Sequence, residues 1–182
     1  MSVYIAFLRA INVGGHTVKM ETLKQQFQSL GFSNVETFIA SGNVIFDTER
    51  TETGSFETEI EQRLHETLGY PVATFIRTSG QLAELANYRA FTEDRINAAQ
   101  ALNIAFLSKN PDERSKEKLM TLKTEIDDFH VHERAIYWLC SKKQSESTFS
   151  NAVLEKALGQ QTTLRGIQTI RKLVAKYAAQ AS

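Results

Sequence analysis

The spacing of apolar residues in the first half of the chain predicts seven elements of secondary structure. Unbroken apolar runs are typical of strands buried on both faces, whereas apolar residues three and four positions apart predict amphipathic helices. In order, the pattern predicts a strand at 3–8, a helix at about 20–30, strands at 35–39 and 44–46, a helix that ends at Gly69, a strand at 72–76 and a helix at about 80–88. The predicted order is therefore β-α-β-β-α-β with one trailing helix.

The second half of the chain repeats this order. Its pattern predicts a strand at 101–107, a helix from Pro111 to about 122, a hairpin of strands at 129–132 and 135–140, a helix at 149–158, a strand at 162–165 and a last helix at 167–178. The tetrapeptide IAFL occurs twice, and the segment TFIRTSGQLAEL aligns with TTLRGIQTIRKL so that Arg77 corresponds to Arg165. We interpret the chain as an internal duplication.

Each half is expected to form a four-stranded antiparallel sheet with both helices on one face, which is the ferredoxin-like arrangement. The predicted fold class is therefore α+β, with tandem ferredoxin-like repeats at 1–90 and 91–182. The first and last strands of each repeat are expected in the middle of the sheet, because both are apolar on both faces. A module of this size buries only ~60% of its surface, so we expect the repeats to pack as one compact unit.

Composition and charge narrow the class of protein. The chain has 182 residues, of which 42% are apolar, and its formal net charge is zero, so no global charge favours nucleic acid or a membrane surface. The single cysteine, Cys140, lies in an apolar run and fits a reducing compartment. The first residues look like a strand, not a signal peptide, and no apolar stretch could span a bilayer. We expect a cytoplasmic protein that does not contact a membrane.

The segment LRAINVGGHTVKM, which joins the first strand to the first helix, is the main candidate for a binding site. Adjacent glycines between a strand and a helix can turn backbone N–H groups toward an anion. The polar and glycine residues that would form the pocket are Arg9, Asn12, Gly14, Gly15, His16 and Lys19. The segment matches neither common nucleotide-binding glycine motif. Paired glycines also occur in turns that bind nothing, so both interpretations stay open.

Two further segments contribute candidate residues. In IASGNVIF, Ser41 and Asn43 flank Gly42, and as a bare pattern these are ordinary turn formers. Near the C-terminus, Arg165 stands at a strand-to-helix corner and is followed by a helix whose charged residues are all basic. That helix is either a solvated basic face or a contact for an anion or RNA.

Catalytic signatures are largely missing from the sequence. His130 and His132 lie on one strand face, but no spacing supplies further metal ligands, so no metal site is predicted. Cys140 in an apolar strand is expected to be inert. Tyr137 and Trp138 either pack in the core or stack on a base. No catalytic residue and no cofactor can be assigned, and the sequence leaves open whether the protein is an enzyme.

Several of these segments together resemble the bacterial domain-of-unknown-function family 1697. The blocks LRAINVGG, IASGNVIF, FSNAVLEKALG and TTLRGIQTIRKL occur in the order of that family and span nearly the whole chain. The block TTLRGIQTIRKL departs from the pattern R-N-W-x-T-V that is typical of the family. Arg165 and Thr169 are kept, whereas Gly166 and Ile167 replace the usual Asn and Trp. The resemblance implies a duplicated ferredoxin-like fold and no established activity, substrate or cofactor.

The sequence thus favours a protein that binds an anionic or phosphorylated small molecule at the loop between Arg9 and Lys19. One alternative is an RNA or single-stranded nucleic-acid binding module, which the zero net charge disfavours. A second is a structural or regulatory homodimer that uses a sheet edge. A third is an enzyme in which His16 acts as acid or base, although no carboxylate is paired with it in the sequence.

Overall fold

The computed structural model describes residues 1–12 and 15–178, and the side chains of residues 40, 41 and 53 are not among its described parts. Two candidate site groups, Gly14 and the side chain of Ser41, therefore lie outside the described residues. The first repeat consists of β1 (Ser2–Leu8), α1 (Met20–Ser29), β2 (Ser33–Phe38), β3 (Ala40–Thr48), α2 (Thr53–Leu68), β4 (Thr74–Thr78) and α3 (Ser79–Asn87).

The second repeat has the same order and two additional short elements. It consists of α4 (Glu93–Ala98), β5 (Ala101–Phe106), α5 (Glu113–Met120), β6 (Asp127–His132), β7 (Ala135–Cys140), a 3-10 turn (Gln144–Glu146), α6 (Asn151–Leu158), β8 (Thr163–Gly166) and α7 (Ile167–Tyr177). The sequence pattern did not predict α4 or the 3-10 turn. Both are short and expose every residue at least partly, so they carry no apolar periodicity.

The two antiparallel sheets confirm the ferredoxin-like prediction. Their strand orders are β2-β3-β1-β4 and β6-β7-β5-β8, so corresponding strands occupy corresponding places. The expectation that the last strand of each repeat is central is wrong, because β4 and β8 lie at sheet edges. Strand β4 is nevertheless almost fully buried, from Thr74 to Arg77, which is why its sequence is typical of a central strand.

Both faces of the first sheet are buried. Tyr4, Ala6 and Leu8 of β1 point toward α1 and α2 and join their apolar residues in one core. The alternate residues Ile5 and Phe7 are fully buried as well. The corresponding core of the second repeat contains Ala105, Trp138 and Leu154. No helix among residues 1–12 and 15–178 is long and apolar enough to cross a membrane.

The free edge of β4 is closed by side chains. The amides of Thr74 and Ile76 donate to the Oε1 atoms of Glu61 and Glu57 on α2, each at 2.9 Å. The next outward amide, that of Thr78, donates to Oε1 of Gln81 at 3.0 Å. The two glutamates are four positions apart and so share one face of the helix. The helix therefore takes the place of a fifth strand and satisfies the edge.

The chain divides into two units that do not coincide with consecutive halves. The first unit contains residues 1–86 and the C-terminal residues from Arg171, and the second contains residues 87–170. In the first unit, Tyr177 of α7 donates its hydroxyl to Oε2 of Glu36 at 2.8 Å, and its ring meets Phe38 edge-on. The end of the last helix therefore covers strand β2.

A tyrosine has the same role in the second unit. The ring of Tyr88, the residue after α3, stacks on His132 with centroids 3.7 Å apart. Its hydroxyl lies 2.8 Å from Nε2 of His130. In each unit, the tyrosine at the end of the trailing helix of a repeat thus covers an edge strand, β2 in one unit and β6 in the other.

Candidate functional site

The loop between β1 and α1 is held by contacts on both sides of its tip. The amide of Arg9 donates to the carbonyl of Ala73 at 2.9 Å. Asn12 accepts the amide of Val18 through Oδ1 at 2.9 Å and so closes the loop on itself. The side chains of Ile11 and Val18 are buried in the core. The loop therefore has a fixed base.

The described tip of the loop is exposed, and its amides are unused. Gly15 has a φ of +84°, which a residue with a Cβ rarely adopts, and no atom lies within 4 Å of the place of a Cβ. Within the described residues, the amides of Gly15, His16, Thr17 and Lys19 donate to no protein atom. Helix α1 then begins after Lys19, and no described side chain caps its first turn.

The cationic groups of the loop differ in their surroundings. His16 is exposed and stacks on Tyr70 with ring centroids 3.9 Å apart, and Tyr70 in turn donates its hydroxyl to the carbonyl of Ile11 at 3.0 Å. Burial raises the pKa of Tyr70, which keeps it a hydrogen-bond donor at neutral pH. Lys19 is exposed, whereas Arg9 is half-buried and engaged in contacts.

Tyr70 belongs to no motif in the sequence, yet it supports both His16 and the loop backbone. Its side chain is partly buried against the same core as Ile11 and Val18. The sequence indicates this role only weakly. Tyr70 is an aromatic residue between the glycine that ends α2 and the start of β4, and such a residue usually packs in a core.

The β2–β3 hairpin lies at the same end of the sheet as the loop. Asn43 pairs with Phe7 in the antiparallel register. Because the strands run in opposite directions, Arg9 and Ser41 both lie beyond this pair, at the same end of the sheet. Asn43 is buried and donates through Nδ2 to the carbonyl of Phe38 at 3.1 Å, which closes the hairpin. Its described role is therefore structural. The prediction that residues 41–43 form the turn is wrong, because they belong to β3 and the chain reverses at Ile39.

Ile39 is a strained residue in this hairpin that the sequence did not single out. Its φ is +66° and its side chain is 56% exposed. A β-branched residue pays a steric cost in this conformation, and such strain often accompanies functional segments. Ile39 is two residues from Ser41. The strained backbone is therefore at the same end of the sheet as the candidate loop.

Arg165 belongs to the second unit and is held within its own strand. Its Nη1 donates to Oγ1 of Thr163 at 2.8 Å and to the carbonyl of Leu164 at 2.9 Å. Burial lowers the pKa of Arg165 to about 10. Its counterpart in the first repeat, Arg77, is also buried and donates to the carbonyl of Ile76 at 2.8 Å. The shared position supports the duplication.

Other candidate groups of the second repeat are part of its packing. Tyr137 and Trp138 are buried, so neither ring is exposed for stacking on a base. Burial raises the pKa of the Cys140 thiol, which keeps it protonated. Among the residues that the structure describes, no three His, Cys, Asp or Glu side chains come together as metal ligands.

The comparison with protein families identifies the chain. Residues 1–137 match the family described as protein of unknown function DUF1697. The chain belongs to this family. The match includes the Arg9–Lys19 loop and the hairpin of Asn43, which are two of the four segments that carry the resemblance in the sequence, and it ends before the other two.

A solved structure has a fold similar to that of nearly the whole chain. The chain is similar to the conserved bacterial protein SP0830 from Streptococcus pneumoniae, with 20% identity and a TM-score of 0.76 over 96% of this chain and 97% of that one. At this identity the likeness shows the fold alone. None of the curated proteins in the comparison matches the sequence.

Proposed function

We propose that the protein binds an anionic, phosphate-bearing small molecule at the loop between Arg9 and Lys19. The observation that carries the proposal is a loop with a fixed base, on which the amides of Gly15, His16, Thr17 and Lys19 have no partner among the described residues. Main-chain amides that need no rearrangement to meet an anion lose little entropy when they bind it.

Charge and dipole act in the same direction at this loop. Lys19 and His16 are exposed beside the unused amides, and the start of α1 carries the positive end of the helix dipole. Asn12 positions the loop and does not contact the ligand through Oδ1, because that atom already accepts the amide of Val18. Gly14 and Ser41 stay predicted members of the pocket, whereas Asn43 is bound within the hairpin and Arg165 is held within its own strand, so the proposal does not depend on those two.

The nucleic-acid and dimer alternatives have less support. The rings of Tyr137 and Trp138 are buried, and Lys176 on the basic helix is 3.4 Å from Oε2 of Glu36. A dimer through the β4 edge would have to displace the carboxylates of Glu57 and Glu61.

Thermal unfolding with a panel of inorganic phosphate, pyrophosphate, adenosine monophosphate and ribose 5-phosphate tests the proposal. A probe at 100 times its dissociation constant stabilises the folded protein by about 2.7 kcal/mol. We expect Lys19→Gln and Arg9→Gln to weaken binding about tenfold each, since each removes one charge-assisted contact.

Lys172→Gln is the matched control, because Lys172 is an exposed lysine of the same unit that lies far from the loop in sequence. Loss of binding in this variant alone would move the site to the basic helix. Equal melting shifts in wild type and the two loop variants, or no shift with any probe, would refute the proposal.

A further inference from the structure

The second unit contains a cavity of about 380 Å³ that is separate from the loop of the first unit. Its lining combines polar residues with an apolar surface formed by Ala98, Ala99, Ile126 and Leu139. This volume is within the range of sites that hold small metabolites.

Two cations meet at one carboxylate in the lining of this cavity. Nη2 of Arg95 is 2.7 Å from Oδ2 of Asp128, and Nζ of Lys123 is 2.7 Å from Oδ1 of the same group. Burial alone would raise the pKa of Asp128, but the hydrogen bonds from Lys123 and Arg95 outweigh it and lower the pKa. The carboxylate is therefore ionised at neutral pH, and the three side chains carry one net positive charge.

Arg95 is held in place on two sides. Its guanidinium lies over the ring of Phe91 at 5.1 Å from the centroid, while Asp128 holds one of its nitrogens. Asp128 is in turn fixed by the amide of Phe129, which donates to Oδ1 at 2.8 Å. A guanidinium fixed by a ring and a carboxylate is preorganised for a planar anion.

Both cations retain unused donors. Within the described residues, the Arg95 guanidinium donates to Asp128 alone, and Lys123 makes its only ion pair with the same carboxylate. These remaining N–H groups belong to side chains that line the cavity. Both cations are therefore available to a second carboxylate beside Asp128.

The cavity lining contains two cations and three carboxylates, so its formal net charge is −1 although the Arg95–Lys123–Asp128 group alone is +1. Glu125 also lines the cavity and is exposed. The carboxylate of Asp127 is nearly saturated, because it accepts hydrogen bonds from Trp138, Ser147 and Thr124. With these carboxylates nearby, a singly charged ligand is favoured over a doubly charged phosphate ester.

We propose that this cavity binds a small monocarboxylic acid, with its carboxylate bridging Arg95 and Lys123 and its short apolar chain against Ala98 and Leu139. The site is independent of the loop that binds the phosphate-bearing molecule. The alternative is that Arg95, Asp128 and Lys123 only connect α4 to β6, in which case the cavity would not bind the acid.

The test is an NMR titration of the full chain with butyrate, in which the amides of residues 123–128 report on the cavity. We expect saturable shifts at these amides, and no such shifts with n-butylammonium, which has the same chain and the opposite charge. Butyl phosphate is expected to bind at least tenfold more weakly than butyrate.

Variants make the assignment specific. Arg95→Gln and Lys123→Gln are each expected to weaken butyrate binding about tenfold, whereas Glu125→Gln is expected to strengthen it. Arg114→Gln removes an exposed arginine of the same unit and is expected to leave the affinity unchanged. Since Arg95 and Lys123 are about half exposed, their variants are expected to fold.

Absence of saturable butyrate shifts in wild type, or equal affinity in Arg95→Gln and Arg114→Gln, would overturn the assignment. Tighter binding of butyl phosphate would also overturn the preference for a monocarboxylate. None of these outcomes bears on the loop, because Lys19 and Arg9 are untouched in every variant.

Discussion

At the scale of single residues, Asn103 shows how one substitution affects a buried neighbour. Asn103 of β5 is 7% exposed, and its Nδ2 has no hydrogen-bond partner among the described residues. The residue paired with it in β8 is Gly166, the position at which the family pattern has Asn. A buried amide without an acceptor costs about 1–3 kcal/mol.

We expect Gly166→Ser to raise the free energy of unfolding by about 1 kcal/mol, because its hydroxyl supplies an acceptor for Asn103. A Cβ at Gly166 is tolerated and would lie beside this amide, in ordinary contact with Oδ1 of Asn103 at 3.8 Å. Urea denaturation measures the change. Gly166→Ala is the control for the loss of backbone freedom, and an equal gain in both variants would show that the hydroxyl contributes nothing.

His130 makes stability depend on pH. Burial lowers its pKa and the charge of His132 lowers it further, while Asp128 opposes them. Tyr88, Phe91 and Tyr137 are the aromatic groups around it. Because the folded pKa lies below the unfolded value of about 6.5, the unfolded chain binds more protons in this window.

The free energy of unfolding should therefore be unaffected by His130 above about pH 6.5 and fall as the pH drops from there through the folded pKa. We expect His130→Gln to flatten this part of the profile in urea denaturation between pH 7.5 and 5. His65→Gln, an exposed histidine on α2, should keep the wild-type slope. An unchanged slope in His130→Gln would contradict the assignment.

At the scale of elements, α2 protects the edge of β4 through Glu57 and Glu61. Removing one carboxylate leaves a partly buried amide without its acceptor. We expect Glu61→Ala to lower the free energy of unfolding by about 1–3 kcal/mol and to promote self-association at high concentration. Urea denaturation and sedimentation velocity measure the two effects.

Glu61→Gln keeps an acceptor oxygen and should recover most of the stability. Glu66→Ala removes an exposed glutamate of the same helix and should change the free energy of unfolding by less than about 0.5 kcal/mol. If Glu61→Ala behaves like Glu66→Ala, the amide of Thr74 does not depend on the carboxylate.

The sequence predicted the elements well because their cores are periodic. Phe56, Ile60 and Leu64 of α2 are all fully buried, and Gly69 ends the helix in a left-handed conformation. The edge position of β4 could not be predicted, because the strand is almost fully buried and its outer edge is covered by side chains of α2 and not by another strand. The hydrophobicity of a strand predicts that its side chains are buried, but it does not predict whether the strand has one neighbouring strand or two.

The loop was predictable in part. Glycines at positive φ and a histidine beside them are local signals, and Gly15 has the expected conformation. Asn12 accepting the amide of Val18, and Tyr70 supporting His16, are contacts across 6 and 54 positions that no pattern encodes. The cavity of the second unit was missed for the same reason, since Arg95 and Lys123 meet only through Asp128.

At the scale of the molecule, the end of α7 contributes to the first unit. The hydrogen bond from Tyr177 lowers the pKa of Glu36 against the opposing effect of burial, and Lys176 lowers it further. The stabilisation from Glu36 is therefore complete above its ordinary pKa of 4.5 and is lost as the pH falls through the lower folded value.

We expect Tyr177→Phe to lower the free energy of unfolding by about 1 kcal/mol at pH 7, and the difference from wild type to shrink below pH 4. Hydrogen exchange should also become faster in β2, although the substitution is about 140 residues away in the chain. Tyr70→Phe is the control, because it removes a comparable tyrosine hydroxyl that donates to the loop backbone. Unchanged exchange in β2 would contradict the role of α7.

The two covering tyrosines limit how the chain can be divided. A fragment ending after the first repeat would lack Tyr177. Glu36 would then lose its hydrogen-bond donor, and one side of the Phe38 ring would become exposed to solvent. A fragment starting at residue 91 would lack Tyr88 and expose the imidazole of His132. Each repeat thus depends on a tyrosine that lies outside its own span, so either repeat expressed alone is expected to be less stable than it is in the full chain.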